Sequence, residues 1–552
     1  MTPSSKPASI RRIAQGAFQR LRGFPYYLPL LSSFPVLFLF GQNSNALRPN
    51  DVLRPLVVAN ALALCLWLAT GVLSRKWAES AALSSLAVLF LLSYGHAYDW
   101  IKSLGATGAA IGRHRFLLPM GLLILILCAV YLYRTSRRPL WTSAFLNVIG
   151  LTLVLLPMAA IAQAGLAQQQ RVEVTILDDG GAELVIPALS GEQPDIYYII
   201  LDAYARQDLL LGIYDYDNSG FIQALERMGF YVAADSRSNY IQTELSLISS
   251  LNLAYVDDLS RMYGFDLDMI PAADLIGSSR VRAILEQVGY QTAAFDTGFR
   301  STTIRDADVF FEAPGGPSHQ NEKNALNTLS AFEGLLIETS ALRPFADRFG
   351  VLGISRPINV FQPSYESHRE TVRSILSRLR TIPDLEGDYF VFAHVLAPHP
   401  PFVFGPSGEP LNPDRAFTLA DGSSYMRVGT REEYLSLYPG QLEYLNTLLL
   451  ETLGRILEKS EPRPIIILQG DHGPGAFLDW DSPEASNLVE RTSILNAYLL
   501  PEDVAAELYP SISPVNSFRL LLREYLDLPF PPLKDMSFFS FHEGPLGLIP
   551  ID

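Results

Sequence analysis

Five apolar segments fill the first third of the 552-residue chain, at roughly 24–41, 55–74, 79–98, 116–133 and 141–163. Each holds about 18–23 mostly apolar residues, enough to cross a ~30 Å hydrocarbon core at ~1.5 Å of rise per residue. The pattern therefore predicts a membrane domain with five transmembrane helices over residues 1–165. A cleaved signal peptide is not expected, because the first apolar run is followed by four more.

Basic residues orient these helices. Lys6, Arg11, Arg12, Arg20, Arg22, Arg75, Lys76, Arg134, Arg137 and Arg138 fall on one side, against Arg48, Arg54, Lys102, Arg113 and Arg115 on the other. The positive-inside bias places the N-terminus in the cytoplasm, and five crossings then place everything after about residue 165 outside it. Charge divides at the same point. Residues 1–165 carry 15 Lys/Arg and 3 Asp/Glu, whereas the remainder carries 27 and 54. So acidic an outer part excludes a nucleic-acid partner. The two cysteines, Cys65 and Cys128, both lie in apolar segments, so the outer part has no disulfide to form.

Residues 166–194 are polar and turn-rich and read as a linker, with a short hairpin around Asp178–Gly181. From Asp195 the texture changes. DIYYIIL (195–201), QTAAFD (291–296), YFVFAHV (389–395), PIIIL (464–468) and ILNAYLL (494–500) are continuous β-branched and aromatic runs, as strands buried on both faces should be. Helical patterns at 219–229, 279–289, 368–380 and 439–460 alternate with them. The expected fold is α/β: a mostly parallel mixed sheet flanked by helices over 195–545, with its ligand site beyond the carboxyl ends of the strands. The stretch 300–365 carries no clear pattern and is read as an insertion over or beside the site.

Three of the strand ends carry polar residues. The first runs into Asp202 of LDAYAR; the third into His394 and then His399 of APHPPF; the fourth into Asp471 and His472 of QGDHGPG. Each has an unremarkable alternative: Asp202 as a helix cap, His394 as a buried imidazole on a backbone carbonyl, His399 as a surface residue of a proline-rich loop. In SNYIQTELSLISSL, Thr243 falls near a helix N-terminus, where free amides and the macrodipole favour an anion. It is either an N-cap or a hydroxyl that, ionised beside a divalent cation, attacks phosphorus or sulfur.

Taken in order, LDAYAR, TELSL, HVLAPHPPF and GDHG resemble the alkaline phosphatase/sulfatase superfamily. They are most similar to its membrane-bound branch, the lipoteichoic acid synthases and the phosphoethanolamine and phosphoglycerol transferases. The resemblance covers residues 195–540, and five membrane helices before an outer catalytic domain is the layout of that branch. It implies that Asp202, Thr243, Asp471 and His472 are metal ligands and that Thr243 is the nucleophile, with Ser246 as runner-up. At the first of these positions the membrane transferases usually carry Glu, and sulfatases Asp. His399 is implied to contact the substrate phosphate or a second metal, and His394 and Arg206 are expected as further substrate-binding residues. Two-zinc members have another histidine shortly after DHG; here the next is His542. One divalent ion is therefore expected, and the ligand mixture suits Mn²⁺, Zn²⁺ or Mg²⁺.

The resemblance implies a multi-pass protein of the cell (inner) membrane with a periplasmic catalytic domain. That domain would move a phospholipid-derived headgroup to a surface glycan or lipid through a covalent threonine intermediate. A sulfatase or phosphodiesterase of the same superfamily is the alternative enzyme. A degenerate membrane assembly or sensor module is the non-enzymatic one.

Overall fold

The structure is a computed structural model. It describes residues 24–42, 52–103, 113–135, 141–169, 193–263, 272–314, 331–344, 365–541 and 544–551, apart from 414 and 416, with isolated positions between 176 and 191. The chain forms two compact units. One comprises Met1–Gln170 with Asn321–Gln362, the other Arg171–Gln320 with Pro363–Asp552.

The first unit holds helices α1 (Tyr27–Gln42), α2 (Leu53–Ser74), α3 (Trp77–Ser103), α4 (His114–Arg134) and α5 (Trp141–Gln169). The last four are long and apolar enough to cross a membrane. The described helix α1 has 16 residues, which at ~1.5 Å each covers ~24 Å, shorter than the span expected from the sequence. Small residues bring the helices together: a Cβ on Gly41 would touch Pro157 and Ile161 of α5, and one on Gly150 would touch Leu30 of α1. The helix starts lie together too, since the Tyr27 hydroxyl donates to Ala78 O (3.2 Å) and Asn147 accepts from Tyr27 N (2.7 Å). Both cysteines are free and sit in α2 and α4.

The second unit is built on a seven-stranded sheet. Its strands are β1 (Ile196–Leu201), β2 (Tyr231–Val232), β3 (Gln291–Phe295), β4 (Val309–Phe311), β5 (Tyr389–Val395), β6 (Ile465–Gly470) and β7 (Asn496–Leu499), in the order β2-β7-β6-β1-β5-β3-β4. β1 pairs in parallel with both β5 and β6, and β7 runs antiparallel to β6. The five expected strands are all present, and the sheet is mixed and mostly parallel. The very short β2 and β4 were not expected: two or three residues carry too little pattern to be read.

Period-two alternation sorts the strand residues into two cores. Tyr197, Ile199 and Leu201 of β1 join the core that contains Leu442, Leu445 and Leu449 of the helix Arg431–Lys459. Ile196, Tyr198 and Ile200 join the core that contains Leu247, Ile248 and Leu251 of the helix Thr243–Asn252. Burial of β1 on both faces explains its lack of a polar residue. The region read as a linker is partly built into this unit: Leu184 N–H donates to Ile176 O (2.8 Å) across a turn at Asp179–Gly180, and Ile176, Leu184 and Ile186 pack on the second core.

The stretch 300–365 divides between the two units. Its first part, β4 included, belongs to the sheet unit, and Asn321–Gln362 groups with the apolar helices. The described stretch there has buried apolar residues, Phe332 and Ala341, whose partners are on α1 and α3.

Candidate functional site

The central strands β1 and β6 lie side by side in register, Leu201 against Gly470, so the residues that follow them emerge together. Asp202 follows β1; Asp471 and His472 follow β6. Immediately after Asp202 the chain turns through Ala203 in the left-handed region, at φ 62°. That conformation costs a non-glycine residue about 1–2 kcal/mol. It coincides with the Ala203 N–H donating to Asp471 Oδ1 (3.1 Å), which also accepts from His472 N (2.9 Å). One carboxylate oxygen of Asp471 is thereby fixed by backbone, and the other, Oδ2, is buried with no hydrogen-bond partner.

The same holds for Asp202. Its Oδ2 lies 3.3 Å from His394 Nε2, a distance suited to an ion pair but not aligned as a hydrogen bond, and its Oδ1 has no hydrogen-bond partner. Burial pushes the Asp202 carboxyl up, but His399, His394 and His472 together hold it below the usual carboxylate range. His472 completes the group. Its Nδ1 faces the Gly473 carbonyl at 3.0 Å and so carries the proton, which leaves a lone pair on Nε2. That Nε2 stands 3.4 Å from Asp471 Oδ2, 3.6 Å from Asp202 Oδ1 and 3.1 Å from Thr243 Oγ1. Burial first, and then the Arg491 guanidinium, lower the His472 pKa against the pull of Asp471, Asp202 and Asp421, so the neutral imidazole is favoured.

Asp202, Asp471 and His472 each offer an atom within 4.8 Å of the others, and all three are buried. Two buried, unpartnered carboxylate oxygens beside an imidazole lone pair are expensive to keep without a cation. This donor set fits a divalent ion, two oxygens and one nitrogen, with the Thr243 hydroxyl placed as a fourth ligand. Thr243 is the first residue of its helix, after Gln242, and is half-buried. Ser246 is otherwise engaged: fully buried, it donates to Asp471 O at 2.7 Å.

The remaining predicted residues separate. His399 sits at the edge of the group, its ring 6.4 Å from that of His472, with 11% of its side chain exposed. Gln441 pins its loop, donating to Pro398 O and His399 O while accepting from Val403 N and Phe404 N. His394 is fully buried between Asp202 and Thr302, whose hydroxyl is 2.8 Å from Nδ1. It therefore stands behind Asp202 and has no surface to offer a substrate. Arg206 is turned elsewhere: its guanidinium holds both oxygens of Asp208 (2.7 and 2.8 Å) and the Ser236 carbonyl. His542 lies outside the described residues.

No protein-family model matches the chain, and no curated protein matches it in sequence. Among solved structures, it is similar to the C-terminal periplasmic domain of EcEptC from Escherichia coli, in complex with Zn. The identity is 12% over 66% of this chain and 96% of that one, with a TM-score of 0.39. The integral membrane protein lipooligosaccharide phosphoethanolamine transferase A (EptA) from Neisseria meningitidis is similar at 11% identity. It covers 91% of this chain and 95% of its own, with a TM-score of 0.35. The phosphonate monoester hydrolase of Agrobacterium radiobacter is similar at 15% identity over 64% of this chain and 82% of that one, at a TM-score of 0.36.

Two residues of the site were not singled out in the sequence, Arg491 and Asp421. Arg491 is fully buried; it donates through Nε to Ile241 O, through Nη1 to Asp421 Oδ2 (2.6 Å) and Gly473 O, and through Nη2 to His472 Nε2 (3.2 Å). Asp421 also accepts from the Tyr434 hydroxyl (3.0 Å) and lies 3.9 Å from His399 Nε2. Burial raises its pKa, but Arg491 foremost, with His399 and His472, holds it below the usual carboxylate range. A buried guanidinium thus projects one nitrogen into the group of atoms that could hold a metal ion. The glycines of GDHGPG permit this closeness. A Cβ on Gly473 would lie 2.0 Å from Glu490 O, and one on Gly475 2.6 Å from the Asp421 carboxylate. Neither residue belongs to a motif quoted above, and only the ban on unpaired buried charge could have pointed to them.

Proposed function

We propose that this chain is a membrane-anchored, metal-dependent phosphoester transferase whose catalytic unit acts outside the cytoplasm. One observation carries this reading. The Thr243 hydroxyl, at a helix N-terminus, is 3.1 Å from the His472 imidazole, among carboxylate oxygens of Asp202 and Asp471 that have no other partner. A hydroxyl in that setting is built to ionise and attack.

Asp202, Asp471, His472 and Thr243 would hold a single divalent ion, which when bound favours the threonine alkoxide and offsets negative charge on a phosphoryl group. The chain's own residues do the rest. The helix N-terminus at Thr243 favours a phosphodiester anion there. Thr243 Oγ attacks phosphorus as the bond from phosphorus to the lipid alcohol breaks, leaving the headgroup on Thr243 as a phosphodiester. His399, the one imidazole of the group with access to solvent, donates a proton to the departing oxygen. A hydroxyl of a surface glycan or lipid then gives its proton back to His399 and attacks the phospho-threonine, and the bond from phosphorus to Thr243 breaks to restore the threonine oxygen. His394 orients Asp202 and takes no part in binding substrate. Helices long and apolar enough to span a membrane suit a lipid donor, since they hold the catalytic unit at the surface where the donor lies.

The test is incubation with labelled phosphatidylethanolamine and phosphatidylglycerol, followed by mass measurement of the peptide containing Thr243. The expected outcome is a headgroup adduct on the wild-type peptide and none on Thr243→Ala. Turnover of soluble aryl sulfates without any adduct would replace the transferase with a hydrolase.

A further inference from the structure

The two ring nitrogens of His472 have different partners. Nδ1 donates to the Gly473 carbonyl (3.0 Å), the usual kind of support behind a metal-binding imidazole, and a single lone pair is left on Nε2. That lone pair faces the carboxylates of Asp471 and Asp202, with the Thr243 hydroxyl at 3.1 Å. Arg491 Nη2 stands at the same nitrogen, 3.2 Å away. A guanidinium has donors and no acceptor, so Arg491 meets Nε2 in one way only, by donating to its lone pair.

Arg491 is held where it is. Nε donates to Ile241 O (2.9 Å), and Nη1 donates to Asp421 Oδ2 (2.6 Å) and Gly473 O (2.9 Å). The guanidinium lies over the Trp480 ring, 5.3 Å from its centroid, and only 1% of the side chain is exposed. The Arg491 carbonyl accepts from Gly473 N (2.7 Å), so the backbone that carries the guanidinium is bonded to the backbone that carries His472. Asp421, its counter-ion, is fixed in turn by the Tyr434 hydroxyl (3.0 Å). A protein cation is thus built into a group of carboxylates otherwise suited to a metal ion.

One lone pair cannot serve a guanidinium and a metal ion together. We infer that Arg491 competes with the divalent ion for His472 Nε2, lowering the site's affinity and setting the ion concentration at which the protein is loaded. The inference rests on the metal reading given above. Charge acts in the same direction: Asp202 and Asp471 attract a dication, the guanidinium repels it, and Asp421 limits the repulsion. Arg491 is therefore a positioning residue of unusual sign. Removing a partner that supports a metal-binding imidazole costs about 10–100-fold in metal affinity. Removing a competitor raises it.

The test is a titration of the full-length protein in detergent with Zn²⁺ and with Mn²⁺, read by competition with a chelating dye, and a thermal melt confirms that each variant folds. Arg491→Gln/Asp421→Asn removes the competitor and its counter-ion together and leaves the net charge unchanged. It is expected to bind the ion about tenfold more tightly than the wild type. Arg491→Lys keeps the charge, but its single ammonium, drawn to Asp421, gives up Nε2; a gain of about threefold is expected. If the double variant does not fold, Arg491→Lys decides alone. Affinity equal to or below that of the wild type in a folded variant means that Arg491 supports His472, and overturns the competition. A wild-type protein that takes up neither ion overturns the metal reading and this inference with it. One that binds an ion while its variants bind no more tightly overturns this inference only.

Discussion

The two units treat buried polarity in opposite ways. Among the membrane helices, several hydroxyls close on their own helix: Ser32 on Leu28 O, Thr70 on Leu66 O, Ser74 on Thr70 O and Ser85 on Ala81 O, each four residues back. Large apolar side chains such as Val57, Leu68, Leu123 and Leu156 stand exposed instead. In the sheet unit the exposed large apolar residues, among those described, are only Leu211, Val428, Val489 and Ile549. Yet Asp202, Asp421, Asp471, His394, His472, Glu490 and Arg491 are all buried there. A bilayer tolerates no such cluster of ions, and a soluble core keeps one only when something compensates. The difference is concentrated around the carboxyl ends of β1 and β6.

Removing that compensation should produce the largest effect. Asp471→Asn keeps the shape but deletes one charge and one metal-binding oxygen. Activity on lipid should fall by about 10³ or more, a loss of about 4 kcal/mol of transition-state stabilisation. The divalent ion measured on purified protein should drop from one per chain to a small fraction. In the presence of chelator the ranking of stabilities should reverse, with the variant melting above the wild type, since it no longer buries an unpaired carboxylate oxygen. A wild-type protein that binds no stoichiometric ion, or that melts no lower than Asp471→Asn in chelator, breaks the contrast between the two units.

Much of this contrast was legible in the sequence. Uninterrupted apolar runs such as IYYIIL and YFVFAHV mark strands buried on both faces, and the polar residue ending each run marks the rim. Asp202, Asp471 and His472 meet because β1 and β6 are neighbours in parallel, Thr243 joins them from the start of a helix that Ser246 ties to the Asp471 carbonyl, and neither strand order nor that contact is stated by a single sequence. Arg491 and Asp421 were illegible for a related reason. They lie 70 residues apart on a short helix and a loop, and only the folded chain pairs them. His394 and Arg206 looked like substrate contacts because they flank the motif residues. Alternation within β5 turns His394 inward, and Asp208, two residues on, occupies Arg206. The division of 300–365 between the two units was not legible, because the stretch carries no periodic pattern.

A second, smaller effect tests whether the buried charges of the sheet unit carry a cost. Glu490 accepts from the Tyr214 hydroxyl (2.5 Å) and from Phe477 N (3.0 Å). Burial, more than the nearby Asp421, pushes its pKa up to about 7, against the opposing effect of those donors and Arg491. A carboxyl raised above its unfolded value of 4.5 contributes stability that is fully present below pH 4.5 and is lost as pH rises through about 7. The penalty at pH 8 approaches about 3 kcal/mol. Glu490→Gln should therefore melt near the wild type at pH 5 and several degrees above it at pH 8. Parallel melting curves across that range would mean that Glu490 is ionised at no cost.

The smallest effect separates the units at their hydroxyls. Ser85 on α3 is buried, and its Oγ donates only to Ala81 O (3.0 Å), an acceptor on its own helix. Ser85→Ala removes donor and side-chain oxygen together, leaves no group stranded, and should shift stability by no more than about 0.5 kcal/mol. Ser250 in the sheet unit is equally buried but meets the Tyr198 hydroxyl (2.8 Å), which also accepts from Gln469, which in turn accepts from Ser517. There the alanine variant weakens a shared network and should cost about 1–2 kcal/mol. Thermal melts of both variants in the same detergent measure the difference. If Ser85→Ala proves as costly as Ser250→Ala, hydroxyls in the membrane helices do more than close on their own turns, and the two units differ in composition alone.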